Sequence, residues 1–124
     1  MSDEAPTSRL ETIDASTWRD FLASPRAVLI LAKTTCQHCA DWSTELGAFL
    51  ATDTRLTEVR FGKMYLDKPG LADFKRGNAW LAEVDDLPFN VIYVNGERRK
   101  AWPGGGVDRL LNRLEGTRST PSTV

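Results

Sequence analysis

Residues 27–39 carry the sequence AVLILAKTTCQHC, in which a continuous apolar run leads into a Cys-x-x-Cys motif. The apolar run is short and partly β-branched, which is typical of a strand buried on both faces. Apolar side chains then recur at helical spacing, at Trp42, Leu46, Phe49 and Leu50. This pattern predicts a buried strand, then a turn with the motif, then a helix from about Cys36 to Thr52.

The motif holds the only two cysteines of the chain, Cys36 and Cys39. Two thiols at a helix start can form and reopen a disulfide with little backbone movement. The free N–H groups and the dipole of the helix also stabilise a thiolate there. A single Cys-x-x-Cys is also half of a common zinc site, so metal binding is the alternative to redox chemistry.

Length and composition indicate one globular domain, since 124 residues suffice for a single core. The net charge of −1 gives no electrostatic reason to expect nucleic acid or an anionic membrane as a partner. No apolar stretch approaches the ~20 residues that cross a bilayer. The polar start of the chain lacks the features of a secretory signal, so we expect a cytoplasmic protein. In the cytosol a lone thiol pair is catalytic or metal-binding more often than structural.

The order of elements is predicted as α-β-α-β-α-β-β-α within residues 13–115. Residues 1–12 and 116–124 are polar and are predicted to be disordered. Asn95-Gly96 is a strong hairpin signal between the last two strands. The other elements are predicted as a short helix with Trp18 and Phe21, strands at 27–32, 59–67, 89–94 and 97–102, and helices at 36–52, 71–84 and from Val107. Such a chain gives a mixed sheet with helices on both faces.

With these elements in order, residues 12–115 resemble the thioredoxin-like family. The strand before Cys-x-x-Cys is one shared feature, and Lys63-Met64-Tyr65-Leu66-Asp67 resembles the central strand that the family places next. Leu87-Pro88 stands where thioredoxins hold a cis-proline that faces the active site. Asn95-Gly96-Glu97 resembles the hairpin turn, and Gly104-Gly105 resembles the bend before the last helix. The resemblance implies an α/β, three-layer fold with a central mixed β-sheet flanked by helices on both faces.

Several positions depart from the family pattern. Thr35 precedes the first cysteine where thioredoxins carry tryptophan, and Gln37-His38 replaces Gly-Pro between the cysteines. Ile30 stands where thioredoxins bury an aspartate, and Phe89 replaces the threonine after the cis-proline. These departures separate the chain from the housekeeping thioredoxins but not from the wider thioredoxin-like family.

The resemblance implies a role for each residue of the site. Cys36 is expected to be the nucleophile and Cys39 the resolving thiol. Because an imidazolium beside a thiolate lowers the thiol pKa, His38 is expected to make the pair more oxidising, and His38→Pro to reverse this effect. The other expected roles are redox tuning by Gln37 and Lys63, and substrate binding by Thr35, Leu87, Pro88 and Gly104.

The predicted function is therefore that of a thiol–disulfide oxidoreductase. It would exchange its Cys36–Cys39 dithiol with protein or small-thiol disulfides, as a monomeric cytosolic reductase. It would need no cofactor or metal, only an electron-donating reductase or a low-molecular-weight thiol. One alternative is a metal-binding module that uses Cys36, His38 and Cys39, although the chain has no further cysteine or histidine for a fourth ligand. The other alternative is a non-catalytic thioredoxin-like interaction module with a vestigial pair.

Overall fold

The computed structural model describes residues 9–117 as five strands and four α-helices. The strands are β1 (Leu10–Thr12), β2 (Arg26–Ala32), β3 (Arg60–Tyr65), β4 (Phe89–Val94) and β5 (Glu97–Pro103). The helices are α1 (Trp18–Leu22), α2 (Gln37–Thr52), α3 (Ala72–Arg76) and α4 (Val107–Glu115), with a 3-10 helix at Ala79–Glu83. Among these described helices, none has the length and apolar character that spanning a membrane requires.

The strands form one mixed sheet in the order β1-β3-β2-β4-β5. Strands β1, β3 and β2 are parallel, whereas β4 pairs antiparallel with β2 and β5 antiparallel with β4. Strand β2 is central, and all its residues from Ala27 to Ala32 are buried. The continuous apolar run is needed because both faces of this strand are covered.

Two hydrophobic layers lie on opposite faces of the sheet. Helices α2 and α4 pack on one face, where Leu46 and Leu110 meet the β2 residues Val28 and Ile30. Helices α1 and α3 cover the other face through Phe21 and Phe74. The predicted α/β, three-layer architecture with a central mixed sheet is confirmed.

The predicted N-terminal boundary is wrong for residues 10–12, which form β1 and are not disordered. Leu10 is buried and pairs with Phe61 of β3. The Arg60 guanidinium donates from Nη2 and Nε to the two carboxylate oxygens of Glu11, at 2.7 and 3.0 Å. This two-point contact fixes a short edge strand whose polar sequence carries no strand signal of its own. Residues 1–8 lie outside the described part of the chain.

The predicted C-terminal boundary is also too early. Thr117 is buried, and its hydroxyl donates to the Leu114 carbonyl at 2.8 Å. The same hydroxyl oxygen accepts from Arg26 Nη2 at 3.2 Å, which ties the end of α4 to the start of β2. The predicted disorder of 116–124 is therefore wrong for Thr117, and residues 118–124 lie outside the described residues.

The single helix predicted over residues 71–84 is two short pieces in the structure. Helix α3 ends at Arg76, and Gly77-Asn78 separates it from the 3-10 helix. The Asn78 amide donates to the Phe74 carbonyl at 2.7 Å and satisfies a free carbonyl at the end of α3. The hairpin prediction is confirmed, since Asn95 and Gly96 both have positive φ, 53° and 84°.

Candidate redox site

The two cysteines lie at the N-terminus of α2 and form a disulfide, with their Cα atoms 5.2 Å apart. Cys36 is the N-cap residue and is half-buried. Cys39 lies one turn into the helix and is only 1 % exposed. An incoming molecule can therefore reach the sulfur of Cys36 far more easily than that of Cys39.

The sulfur of Cys36 takes the place of an N-cap oxygen. Its Sγ accepts a hydrogen bond from the Cys39 backbone N–H at 3.1 Å. An N–H that points at the sulfur, together with the positive end of the α2 dipole, stabilises a thiolate on Cys36 more than a neutral thiol. Local geometry at the helix start therefore favours a reactive anion at Cys36 once the disulfide is reduced.

The loop that leads into the motif is held by Asp67, which follows β3. The Thr34 hydroxyl donates to Asp67 Oδ2 at 2.6 Å, and the Thr34 backbone N–H donates to Oδ1 at 3.1 Å. The hydroxyl contact is the largest cause that lowers the pKa of the Asp67 carboxyl below its ordinary value of 3.8. The ionised form of Asp67 therefore anchors the loop two residues before Cys36.

Acid should release this anchor. Because the folded-state pKa of Asp67 is lowered, its contribution to stability is complete above the ordinary carboxyl value and is lost as pH falls through the lowered pKa. We expect Asp67→Asn to reduce the free energy of unfolding slightly at neutral pH, and the difference from the wild type to shrink below pH 3.8. Urea unfolding at a series of pH values measures this, with Asp86→Asn as the control for an exposed carboxylate. If the difference in the free energy of unfolding between Asp67→Asn and the wild type stayed constant with pH, the anchoring role of the ionised Asp67 would be contradicted.

The Leu87–Pro88 peptide bond is cis, as the resemblance implied. The Leu87 carbonyl oxygen lies 3.9 Å from Cys36 Sγ, so the start of β4 faces the disulfide. The Gly104 backbone N–H donates to the Pro88 carbonyl at 2.8 Å, and Gly104 has a φ of +93°. The start of α2 and the Leu87-Pro88 turn thus meet at the disulfide, and the glycine bend before α4 lies against Pro88.

The other residues with predicted roles in the site lie around the motif and on β3. Thr35, Gln37 and His38 are all exposed around the motif. The Gln37 amide donates to Asp41 Oδ1 at 2.9 Å, one turn along α2. On β3, the ammonium group of Lys63 lies 5.5 Å from the centre of the Tyr65 ring. The proposed tuning roles of Gln37, His38 and Lys63 stay predictions.

The sequence interpretation missed Asn90, a fully buried amide on β4 that lies two residues after Pro88. Its side chain contacts Trp42 of α2 and the carbonyl of Gly104. The signal for it was present, because asparagine is uncommon within an apolar strand. Its partners could not be inferred, since they lie far away in the sequence.

Within residues 9–117 the structure contains no group of three or more histidine, cysteine, aspartate or glutamate side chains arranged to hold a metal ion.

No protein-family model matches the chain, and no curated protein matches it by sequence. Solved structures do match it. Thioredoxin f2 of Chlamydomonas reinhardtii is 21 % identical with a TM-score of 0.69, over 90 % of this chain and 99 % of that one. Thioredoxin NaTrxh of Nicotiana alata is 19 % identical with a TM-score of 0.70, over 95 % and 100 %. The long form of spinach chloroplast thioredoxin F is 15 % identical with a TM-score of 0.71, over 89 % and 87 %.

The similarity spans nearly the whole of each chain, so it applies to the complete architecture and not to one motif. At these identities the similarity establishes the fold alone. The resemblance predicted from the motifs is confirmed at this level, and the chain has the thioredoxin fold.

Proposed function

We propose that the chain is a thiol–disulfide oxidoreductase that reduces protein disulfides or mixed disulfides with small thiols. One observation carries the proposal: a half-buried Cys36 caps α2, while Cys39, one turn further on, is closed off from solvent. This asymmetry suits a pair in which one sulfur meets the substrate and the other acts only within the protein.

The reaction would proceed by two exchanges. The Cys36 thiolate attacks one sulfur of the substrate disulfide, forming a Cys36–substrate bond and releasing the other substrate sulfur as a thiolate. Cys39, after losing its proton, then attacks Cys36 Sγ and releases the second substrate thiolate. Each released thiolate takes up a proton. The substrate gains two electrons, and the protein is left with the Cys36–Cys39 disulfide.

The substrate would lie across the segments that surround Cys36. Thr35 precedes the nucleophile, and Leu87-Pro88 borders it on the other side, with the Leu87 carbonyl 3.9 Å from Cys36 Sγ. In the proposed complex, the backbone of Leu87 would pair with an extended peptide next to a disulfide. Gly104 completes the surface through its hydrogen bond to the Pro88 carbonyl.

The direction of electron flow depends on the compartment. In a reducing cytosol, an electron-donating reductase or a low-molecular-weight thiol would restore the dithiol by the same exchange in reverse. The redox group is the cysteine pair itself, so the proposed reaction needs no cofactor, and one monomer contains the whole site. His38, exposed between the cysteines, would tune the pair towards a more oxidising potential, with lesser contributions from Gln37 and Lys63.

The test is the reduction of insulin disulfides by dithiothreitol in the presence of the protein. We expect catalytic amounts of the wild type to accelerate precipitation of the insulin B chain, and the double variant Cys36→Ser/Cys39→Ser to give the rate of dithiothreitol alone. Equal rates with the wild type and the double variant, together with no reaction of the reduced wild type with a small disulfide, would reject the proposed function.

A further inference from the structure

A buried amide joins the start of β4 to α2 and to the glycine bend before α4. Asn90 is 0 % exposed and belongs to β4. Its Oδ1 accepts the indole N–H of Trp42 at 2.8 Å, and its Nδ2 donates to the carbonyls of Trp102 at 3.1 Å and Gly104 at 2.6 Å. Because carbonyls only accept and the indole only donates, just one orientation of the amide satisfies all three contacts.

These contacts join the helix that carries the cysteines to the glycine bend. Trp42 lies three residues after Cys39 on α2, so its indole is fixed to the same helix as the resolving thiol. Gly104 donates its N–H to the Pro88 carbonyl at 2.8 Å, and its own carbonyl accepts from Asn90. Both backbone groups of Gly104 are therefore held by residues at the start of β4. Asn90 therefore sets the position of the bend relative to both Pro88 and α2.

The bend also packs closely on the Trp42 ring. A Cβ atom on Gly105 would lie 3.1 to 3.2 Å from three atoms of the indole, closer than ordinary van der Waals contact. The Trp42 ring is thus in contact with the bend while its N–H is bound by Asn90. Any movement of the indole would displace the bend, and the amide holds the indole in place.

Leucine is similar to asparagine in size but cannot make these contacts. In the leucine variant the Trp42 N–H and the carbonyls of Trp102 and Gly104 would stay buried without their partner, which lowers stability. Leucine also could not hold the Gly104 carbonyl and the Trp42 N–H at fixed positions. The amide specifies the geometry of the bend.

We propose that Asn90 is a positioning residue for protein substrates. It holds the glycine bend against Pro88 and α2, and so maintains the surface on which a polypeptide disulfide docks. This inference rests on the proposed oxidoreductase function. A small disulfide needs to meet only the half-buried sulfur of Cys36, so its reaction does not depend on the bend. A protein substrate must contact the bend as well, and its affinity does depend on Asn90.

Asn90→Leu tests the proposal by separating the two substrate classes. We expect kcat/KM for insulin to fall about tenfold, mostly through KM, and the rate constant for 5,5′-dithiobis(2-nitrobenzoate) to change less than about twofold. Amide hydrogen exchange at Gly104 and Gly105 should accelerate in the variant, because the Gly104 carbonyl loses its donor. Leu114→Ala is the control. It creates a cavity in the same hydrophobic layer beside Arg26, which begins β2, whereas Asn90 pairs with Ile30 near the other end of that strand, so the ratio of the two rates should stay unchanged.

Trp42→Phe provides a second test of the proposal if Asn90→Leu does not fold. It keeps an aromatic ring but removes the N–H that binds Asn90 together with part of the indole, while Asn90 keeps its contact with the Gly104 carbonyl, so we expect a smaller loss in the same direction. Equal falls in the rates for both substrates in Asn90→Leu, or in Trp42→Phe if that is the variant that folds, would overturn the positioning role while leaving the oxidoreductase function intact. A change of the rate ratio in Leu114→Ala as large as the change in Asn90→Leu would also overturn the positioning role. A wild type that reacts with neither substrate would overturn both proposals.

Discussion

Cys39→Ser is expected to stop the reaction halfway, with the protein covalently attached to its substrate. Cys36 can still attack a substrate disulfide, because its half-buried sulfur and its contact with the Cys39 backbone N–H do not need the Cys39 thiol. Without that thiol nothing within the chain displaces the bound substrate. We expect turnover of insulin to fall at least about a hundredfold and a mixed disulfide to accumulate.

Non-reducing electrophoresis and intact mass spectrometry detect the trapped species, whose mass is that of the protein plus the attached substrate. Cys36→Ser is the matched control. It leaves Cys39, which is 1 % exposed, as the only thiol and should form no adduct. Adducts formed equally well by both single variants would contradict the assigned order of the two cysteines.

Gly62→Ala is expected to be the most damaging of the small substitutions in the sheet. Gly62 lies on β3, and a Cβ atom there would be 2.5 Å from Ile13 Cγ1 and 2.9 Å from Phe21 Cζ. Both neighbours are buried, so neither side chain can move aside without disturbing the layer under α1. Overpacking of this kind costs about 1–3 kcal/mol, and we expect a loss of that size in the free energy of unfolding.

The chain offers a control with the opposite expected sign. Gly47 lies within α2, and a Cβ atom there would meet no heavy atom within 4 Å. Gly47→Ala should raise the free energy of unfolding by about 0.5–1 kcal/mol, because alanine has the higher helix propensity. Urea unfolding of both variants measures the contrast. A Gly62→Ala protein as stable as the wild type would show that the layer between α1 and β3 is loosely packed.

The parts of the fold that were predictable have local signals. The apolar run of β2 and the helical spacing of α2 each lie within one short segment, and Asn95-Gly96 specifies its own turn by backbone conformation. Strand β1 has no such signal, because three residues with a glutamate and a threonine are too few to show a period. It forms through pairing with β3, about fifty residues away in the sequence.

The residues of the site also differ in how far they could be predicted from the sequence. The Cys-x-x-Cys motif and Leu87-Pro88 are short motifs, so their places at the helix start and the strand start followed from sequence. Asn90 could be noticed as a polar residue in an apolar strand, but its partners, Trp42 and Gly104, lie on separate elements. Only the packing of α2 and the glycine bend around β4 gives this amide its partners.

The most direct test of the proposed thiol–disulfide exchange is the reduction potential of the Cys36–Cys39 pair, measured by equilibration in dithiothreitol and glutathione redox buffers. We predict a reversible two-electron couple between the ~−270 mV of thioredoxin and the ~−120 mV of the periplasmic oxidant, because His38 replaces proline between the cysteines. His38→Pro should lower the potential by about 30 mV or more, a tenfold change in the equilibrium constant. A potential below about −300 mV, the range of structural disulfides, would contradict the proposal that this pair exchanges with substrates.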